Sequence, residues 1–399
     1  MSFEKWETCK FCDIFLTPLK NGVNKPSKMR GEGIKMINMR EIFAYDRIGN
    51  IEMEQVPMNP KELENYVLEK GDLLFARQSL IASGAGKCSL FLGASEQITW
   101  EGHLIRARLN KAICDPVFYY YYFKSGSGRS KVESLILQTA AAGIRASELA
   151  ELEIDLPPLP IQRRIASILT ALDDKIELNR RMNETLEGMA QAVWGEWFGK
   201  SESDEWIELS EIVEFNPRVS IAQGEEAPYV EMKDVPENGM CVSGFVRKAF
   251  SGGSKFQAND TLLARITPCL ENGKTAFVNF LQLKEKAFGS TEFIVMRAKE
   301  GVSPYFVYFV ARDERFRQFA IGSMVGSSGR QRVQTEVLPA FEIAQPNADD
   351  MAQFHKFAEP IFEHIHQNAL QSRTLAALRD ALLPRLMRGE MVVQFRSGL

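Results

Sequence analysis

The amino-acid sequence repeats itself once, and this internal repeat limits the possible folds more than any other feature. GDLLFAR (71–77) matches NDTLLAR (259–265), and a proline-led aromatic run follows in each half, VFYYYYF (117–123) and YFVYFV (305–310). Weaker matches join 6–15 with 206–215, 37–42 with 230–235, 84–91 with 271–278, and 140–145 with 326–332. The repeat predicts two mixed globular domains of the same fold.

Each half ends in a long helical pattern. Seam residues recur every seven positions, at Ile165, Leu172, Asn179, Leu186 and Val193, and again at Ile361, Asn368, Leu375 and Leu382. Heptads of this length are typical of a coiled coil. Because two copies in one chain readily form a pseudo-two-fold, we expect the two helices to pair antiparallel.

An asparagine occupies the same seam position in both helices, at Asn179 and Asn368. One interpretation is a polar residue at an exposed or frayed turn. The other is that the two asparagines face each other across the seam, where they would fix the register at some cost in stability.

A proline-rich stretch, LPPLP (156–160), precedes the first helix. It is stiff and extended, and Pro160 suits the first helical turn, where a missing N–H costs nothing. The predicted helix, 161–198, would be about 57 Å long at about 1.5 Å per residue. Successive major grooves on one face of B-DNA lie about 34 Å apart, so this helix could separate two DNA-reading domains by one turn or more.

Composition restricts the function without deciding it. The chain has 48 basic and 52 acidic residues, so DNA binding would need a local arrangement of positive charge. Cys9 and Cys12 form a C-x-x-C motif with no second pair, and we expect no metal site. The N-terminus, MSFEKWETCK, lacks the apolar core of a signal peptide, and we expect a cytoplasmic protein with reduced thiols.

Catalytic motifs are missing from the sequence. SGAGKCS (83–89) and ENGKT (271–275) both lack the first glycine of a phosphate-binding loop. Neither the [DN]-P-P-[FYW] motif of adenine methyltransferases nor a nucleophile–base set can be identified. The sequence therefore favours a binding protein over an enzyme.

One segment resembles a known family. LPPLPIQRRIASILTALDDKIELNRRMNETLEGMAQAVWGEWF (156–198) is similar to the central conserved region of specificity subunits of type I restriction–modification systems. The similarity includes L-P-x-L-x-x-Q-x-x-I, L-D-x-K-I-x-x-N, and L-E-x-M-A-Q ahead of a Trp–Phe pair. LLPRLMRGEM (382–391) resembles the closing region of the family, and the two-copy layout extends the resemblance over the whole chain.

The resemblance implies an α+β fold with a pseudo-two-fold internal repeat. Two mixed α/β target-recognition domains would be separated by two long helices that pair as an antiparallel coiled coil. We expect a first target-recognition domain at 1–156, a central conserved helix for spacing and docking at 157–200, a second recognition domain at 201–348, and a C-terminal conserved helix and tail at 349–399.

The resemblance also implies the partners. The chain would be non-catalytic, would bind no cofactor, and would read a split target in double-stranded DNA. Two methyltransferase subunits would carry S-adenosylmethionine and methylate adenine N6, and motor-nuclease subunits would use ATP and Mg. A stand-alone DNA-binding or scaffolding protein without enzymatic partners is the alternative.

The second helix departs from the family pattern. AQPNADDMAQFHKFAEPIFEHI (344–365) has no proline-rich start, and Pro360 lies well inside the equivalent helical region. We expect Pro360 to kink the helix or to start it afresh at Ile361.

The residues that contact DNA must be sought on physical grounds, because recognition domains diverge with the sequence they read. Bases and phosphates favour Arg, Lys and Gln on protruding loops and Gly-rich turns. The candidates are Lys28, Arg30, Arg77, Gln78, Arg129, Lys131, Arg145, Lys255, Arg265, Arg330 and Arg332. Gly143–Arg145 and Gly329–Arg332 are expected at equivalent positions. A structural ion pair would explain Arg77 and Arg265 equally well, and the tyrosine run 119–122 favours helix packing over base stacking.

Docking residues are expected where apolar or proline-rich surface lies beyond the seam. The candidates are Pro157, Pro158, Gln162, Trp194, Trp197 and Phe198.

Overall fold

The computed structural model describes residues 6–79, 84–138, 142–199, 205–282, 284–327 and 329–391. The chain forms two compact units. Unit 1 contains Met1–Asp174 and Leu375–Leu399, and unit 2 contains Lys175–Thr374. Each unit thus combines one globular part with a portion of each long helix.

The globular part of unit 1 contains short strands and helices. They are β1 (Glu7–Lys10), β2 (Phe15–Asn21), β3 (Ile34–Ile37), α1 (Met39–Ala44), β4 (Arg47–Ile48), β5 (Gln55–Val56), α2 (Pro60–Asn65), β6 (Leu73–Ala76), β7 (Gln78–Ser79), β8 (Cys88–Phe91), β9 (Ile98–Trp100), β10 (Leu104–Leu109), α3 (Pro116–Lys124), α4 (Gly126–Glu133), β11 (Leu137–Gln138), β12 (Ala142–Gly143), α5 (Ala146–Ala150) and β13 (Glu153–Leu156). The first long helix follows as α6 (Leu159–Trp194), extended by a π-helical turn at Gly195–Gly199.

The globular part of unit 2 has the same kind of content. Its elements are β14 (Trp206–Glu208), β15 (Val213–Phe215), β16 (Glu226–Val230), β17 (Val246–Ala249), β18 (Ser254–Gln257), β19 (Thr261–Ala264), β20 (Thr275–Phe277), β21 (Lys286–Gly289), β22 (Phe293–Ala298), α7 (Pro304–Arg312), α8 (Glu314–Gly322) and β23 (Glu342–Ala344). The second long helix is α9 (Ala348–Met387). Short 3-10 helices occupy Phe11–Ile14, Ser27–Met29, Leu209–Glu211, Met232–Asp234 and Thr335–Ala340.

The strand orders of the two units agree. The central sheet runs β2-β10-β6-β8-β4 in unit 1 and β15-β22-β19-β20 in unit 2. A smaller sheet runs β5-β3-β9 in unit 1 and β17-β16-β21-β18 in unit 2, and β1-β13 matches β14-β23. The predicted fold class, two mixed domains with long helices and an internal repeat, is confirmed.

A buried ion pair recurs at the same place in both central sheets. Arg108 donates to Asp72 through Nε (2.8 Å) and Nη2 (2.7 Å), and the amide of Glu69 donates to the same carboxylate at 2.8 Å. Arg297 donates to Asp260 in the same way, at 2.6 and 2.7 Å, joined by the amide of Gln257 at 2.8 Å. Each aspartate side chain is only 1% exposed, so the pair ties two neighbouring strands together.

The aromatic runs form the helices that close each core. Tyr119, Tyr120, Tyr121 and Tyr122 of α3 are all fully buried, as is Tyr308 of α7. The tyrosine run therefore serves packing, as predicted.

The start of α6 follows the proline stretch. The carbonyl of Pro158 accepts from the amides of Ile161 (2.9 Å) and Gln162 (3.1 Å), and Pro160 lies in the first turn. Gln162 is fully buried; its Nε2 donates to the Pro157 carbonyl at 2.7 Å, and its Oε1 accepts from the Asp115 amide at 2.8 Å.

One of the two expectations for Pro360, a fresh start of the second long helix at Ile361, is wrong. Helix α9 begins at Ala348 and continues through Pro360 to Met387. Asn347 caps its start, because its Oδ1 accepts from the Asp349 amide at 2.7 Å. The helix therefore does not start afresh at Ile361.

None of the helices within the described ranges is long and apolar enough to cross a membrane.

Candidate nucleic-acid interface

In unit 1, backbone hydrogen bonds bring two candidate segments together. The amide of Arg77 donates to the His103 carbonyl and the amide of Ile144 donates to the Arg77 carbonyl, both at 2.8 Å. Gln78 pairs with Gly143 across β7 and β12, and Gln78 Nε2 lies 2.8 Å from His103 Nδ1. Arg77 and Gln78 are both exposed. These segments were predicted separately from the sequence, and they form one surface.

Unit 2 contains the same backbone framework. The amide of Arg265 donates to the Glu292 carbonyl and the amide of Val333 donates to the Arg265 carbonyl, both at 2.9 Å. Ile266 pairs with Arg332 in a β-bridge. Arg77 and Arg265 are therefore structurally equivalent, as their sequence match predicts.

The framework corrects the alignment of the two Gly-Arg segments. Ile144 and Val333 make the same hydrogen bond, so Gly143 corresponds to Arg332 and Arg145 corresponds to Gln334. The match of Gly143 with Gly329 in the sequence is therefore three residues out of register.

Glu292 lies between two arginines of unit 2. Arg332 donates through Nε to both carboxylate oxygens (2.9 and 3.0 Å) and through Nη2 to Oε1 (2.7 Å). Arg265 Nε is 3.7 Å from Oε2, and this buried nitrogen has no hydrogen-bond partner within the described residues. The carboxylate raises the pKa of Arg332 through these hydrogen bonds. Glu292 is not among the candidates from the sequence, because DNA phosphates favour positive residues.

An open groove of about 610 Å³ lies beside Arg265 in unit 2. Arg218, Lys255 and Arg265 line it, and no acidic residue is among the described residues of its wall. Lys255 Nζ lies 4.7 Å from the centre of the Phe250 ring, while Arg218 is exposed. Arg218 is not among the candidates from the sequence, although it belongs to an Asn-Pro-Arg segment directly after β15.

Three candidates are exposed and make few internal contacts. Arg330 is exposed beside Gly329, whose φ of 79° belongs to the left-handed region that favours glycine. The Arg145 side chain is 68% exposed and makes only a long contact, 3.4 Å, with Glu148. Lys28 is exposed on a 3-10 turn.

Three other candidates are held by internal partners. Arg30 binds Glu54 at 2.5 Å. Arg129 donates to Glu133 at 2.8 Å and to the Ala85 carbonyl at 2.9 Å, and Lys131 donates to the Tyr122 hydroxyl at 2.9 Å. The segment around the last two is helix α4, capped by Ser125, rather than the protruding loop or Gly-rich turn expected of a DNA-contact candidate.

The docking candidates differ in exposure. Trp197 is 40% exposed and Phe198 is half-buried against Phe306 and Phe354. Pro158 is exposed, whereas Pro157 is buried.

Burial corrects three docking predictions, those for Pro157, Gln162 and Trp194. Trp194 is 6% exposed and packs against Phe306 and Phe309, so the core of unit 2 already covers it. Gln162 is buried by the contacts that begin α6. None of the three side chains offers a surface to a partner.

The seam asparagines meet within unit 2. Asn179 Nδ2 donates to the Asn368 carbonyl (3.3 Å) and to Gln371 Oε1 (2.9 Å), while Asn368 Nδ2 donates to Asn183 Oδ1 (2.9 Å). Because Asn183 follows Asn179 by one turn while Asn368 precedes Gln371, the two helices run antiparallel here. Both seam residues are buried, which excludes the exposed-turn interpretation; their role in register stays a prediction.

Comparison with known proteins gives one family. Residues 4–188 match the family model described as the type I restriction modification DNA specificity domain. The chain is 25% identical over 311 residues to the type I restriction enzyme MjaIX specificity subunit of Methanocaldococcus jannaschii, covering 69% of each protein. It is 22% identical over 325 residues to the HindI specificity subunit of Haemophilus influenzae, covering 62% of this chain and 71% of that protein.

A solved structure agrees in fold. The S subunit of a type I restriction–modification system from M. genitalium matches over 96% of both chains, with a TM-score of 0.57 and 16% identity. Proteins of this family provide DNA specificity and are non-catalytic. In sequence the chain is therefore similar to type I restriction–modification specificity subunits, and its residues 4–188 match the DNA specificity domain of that family.

Proposed function

We infer that this subunit reads a split DNA target, one half with each unit, and positions enzymatic partners on it. The observation that carries this proposal is the repeated framework around Arg77 and Arg265, which places an arginine at equivalent positions of the two units, exposed at Arg77 and half-buried at Arg265. Phosphate contacts would come from arginine and lysine, and base contacts from side chains such as Gln78 and Arg330.

The long helices act as the spacer between the two half-sites in this proposal. Methyltransferase subunits carrying S-adenosylmethionine would dock at the conserved helical regions, where Pro158, Trp197 and Phe198 retain accessible surface. Motor-nuclease subunits using ATP and Mg would complete the assembly, which would act on DNA in the cytoplasm.

Methylation mapping tests the proposal directly. Genomic DNA from cells expressing this chain with its methyltransferase is compared with DNA from cells lacking the chain. We expect N6-methyladenine in a two-part motif with a fixed gap only when the chain is present. Methylation that does not depend on the chain would contradict the proposal and favour a stand-alone DNA-binding protein.

A length variant tests the spacer in the same assay. Four residues are inserted after Asp174 and four after Thr374, where the units divide, which lengthens each helix by about 6 Å. The contacts Asp173–Arg379 and Asn179–Asn368 stay within their own units. The unread gap should grow by about two base pairs, because base pairs are about 3.4 Å apart; an unchanged gap would exclude the spacer role.

A further inference from the structure

A carboxylate lies in the basic surface of unit 2, where a polyanion is expected to bind. Glu292 accepts three hydrogen bonds from Arg332, and its side chain is 21% exposed. A negative charge at this place repels DNA phosphates and occupies an arginine that could bind one. Its presence on this surface calls for a physical explanation.

The fold does not need this carboxylate. Unit 1 makes the same backbone bonds with His103 at the position of Glu292 and Gly143 at the position of Arg332. The backbone framework therefore forms in unit 1 without an ion pair at these positions, and the Glu292–Arg332 pair of unit 2 is not required for it.

The geometry holds the arginines ready for another acceptor. The Arg332 side chain is 44% exposed and that of Arg265 is 34% exposed, although both approach the same carboxylate. Arg265 also lines the groove with Arg218 and Lys255, and its Nε lacks a hydrogen-bond acceptor within the described residues. If Glu292 turned to another donor, Arg332 would be free to bind phosphate.

The major groove offers a suitable donor. Cytosine N4 and adenine N6 are the donors on its base edges, whereas guanine N7 and O6 and thymine O4 are acceptors that repel a carboxylate. Adenine also places the acceptor N7 beside its amine, so cytosine fits a carboxylate better.

We propose that Glu292 is a specificity-determining residue of unit 2, which restrains Arg332 until its carboxylate accepts a hydrogen bond from a cytosine N4 amine in the target. This inference rests on the proposed function. On DNA without that cytosine, the ion pair persists and the phosphate contact of Arg332 is lost.

The test uses Glu292→Gln in the full chain, assembled with the methyltransferase. Glutamine removes the charge, and its amide pairs well with adenine N6 and N7. We expect one cytosine position in one half-site to relax and to admit adenine, with the other half-site and the gap unchanged. Binding to a random-sequence duplex should tighten several-fold, and the slope of log affinity against log salt should steepen by about 0.9 for the phosphate gained.

Two further variants make the result decisive. Glu314→Gln removes an equally charged partner of an arginine on α8 and should leave the motif unchanged. Glu292→His copies the residue that unit 1 carries in the same framework, and it tests loss of the carboxylate if the glutamine variant does not fold.

The outcomes separate the two proposals. An unchanged motif and unchanged random-duplex binding in a folded Glu292 variant would overturn the role of Glu292 alone. If the wild-type chain directs no methylation and binds no duplex, both proposals fail, and the wild-type result identifies that case.

Discussion

The two units share a backbone framework but differ in the side chains it displays. Arg77 and Arg265 make matching backbone hydrogen bonds, yet His103 in unit 1 corresponds to Glu292 in unit 2, and Gly143 corresponds to Arg332. At these positions the two units share the main-chain hydrogen bonds and differ only in the side chains.

The buried ion pairs show the opposite behaviour. Asp72–Arg108 and Asp260–Arg297 keep the same residues, the same donor atoms and the same capping amide. A position that holds strands together is repeated, and a position on the candidate interface is free to change. Main-chain hydrogen bonds let the surface side chains vary without a change of fold.

The largest expected effect comes from breaking the shared ion pair. Asp72→Asn or Asp260→Asn leaves a largely buried arginine without its buried carboxylate, although Arg108 keeps the exposed Glu69 as a partner. Each variant should lower the free energy of unfolding by about 3 kcal/mol. Urea denaturation measures the total loss in the free energy of unfolding, and hydrogen exchange shows which unit unfolds more readily. Glu151→Gln, at the exposed pair with Lys10, is the control and should cost far less. A large loss in one unit only would show that the two pairs are not equivalent.

A smaller effect is expected from the divergent surfaces. Gln78→Ala in unit 1 and Arg330→Ala in unit 2 should each weaken or relax one half-site, by roughly 1–3 kcal/mol per lost base contact. Methylation mapping of each variant should show opposite halves affected. Arg317→Ala, on α8, is the control, since its partner Glu314 belongs to the same helix. Equal loss in both halves would mean that the variant misfolds or that the residue does not read a base.

Much of the fold could be predicted because its signals are local or repeated. The heptads indicated both long helices, and the match of 71–77 with 259–265 indicated equivalent strands, β6 and β19. The start of α9 could not be predicted so simply. A proline inside a helix is costly, but Phe354, Ala358 and Phe362 bury one face of this helix in unit 2, and that packing outweighs the local penalty.

The candidate site was less predictable because a residue type does not reveal its partner. Arg129 and Lys131 have the composition of a phosphate loop, but Glu133 and Tyr122 already bind them. Trp194 has the composition of a docking residue, but it completes a core formed by residues distant in sequence. Only the fold shows which polar or aromatic side chains are already satisfied.

The smallest expected effect concerns a tyrosine–carboxylate contact found in both units. Tyr121 donates to Asp173 at 2.7 Å in unit 1, and Tyr308 donates to Glu187 at 2.5 Å in unit 2. Asp173 also binds Arg379 at 2.7 Å, whereas Glu187 forms no ion pair within the described ranges. Burial raises the pKa of Glu187 above the ordinary value of 4.5, against the lowering effects of the Tyr308 hydrogen bond and the Arg312 charge.

The sign of the pH dependence follows from this raised pKa. The folded state favours protonated Glu187, so its stabilising contribution is complete below about pH 4.5 and is lost as the pH rises through the folded pKa. Glu187→Gln mimics the protonated form, and unit 2 of this variant should gain stability relative to wild type as the pH is raised to neutral. Urea unfolding at both pH values measures the difference.

Asp173→Asn provides the matched comparison in unit 1. It removes the buried partner of Arg379, whose side chain is 18% exposed and keeps only the exposed Asp380, so this variant should lose stability at neutral pH. If Glu187→Gln stabilises unit 2 and Asp173→Asn destabilises unit 1 at neutral pH, then the arginine that pairs with the carboxylate decides whether the carboxylate stabilises its unit. A loss at neutral pH in both would mean that Arg312 compensates Glu187 as fully as Arg379 compensates Asp173, and that the two contacts are equivalent in energy despite their different partners.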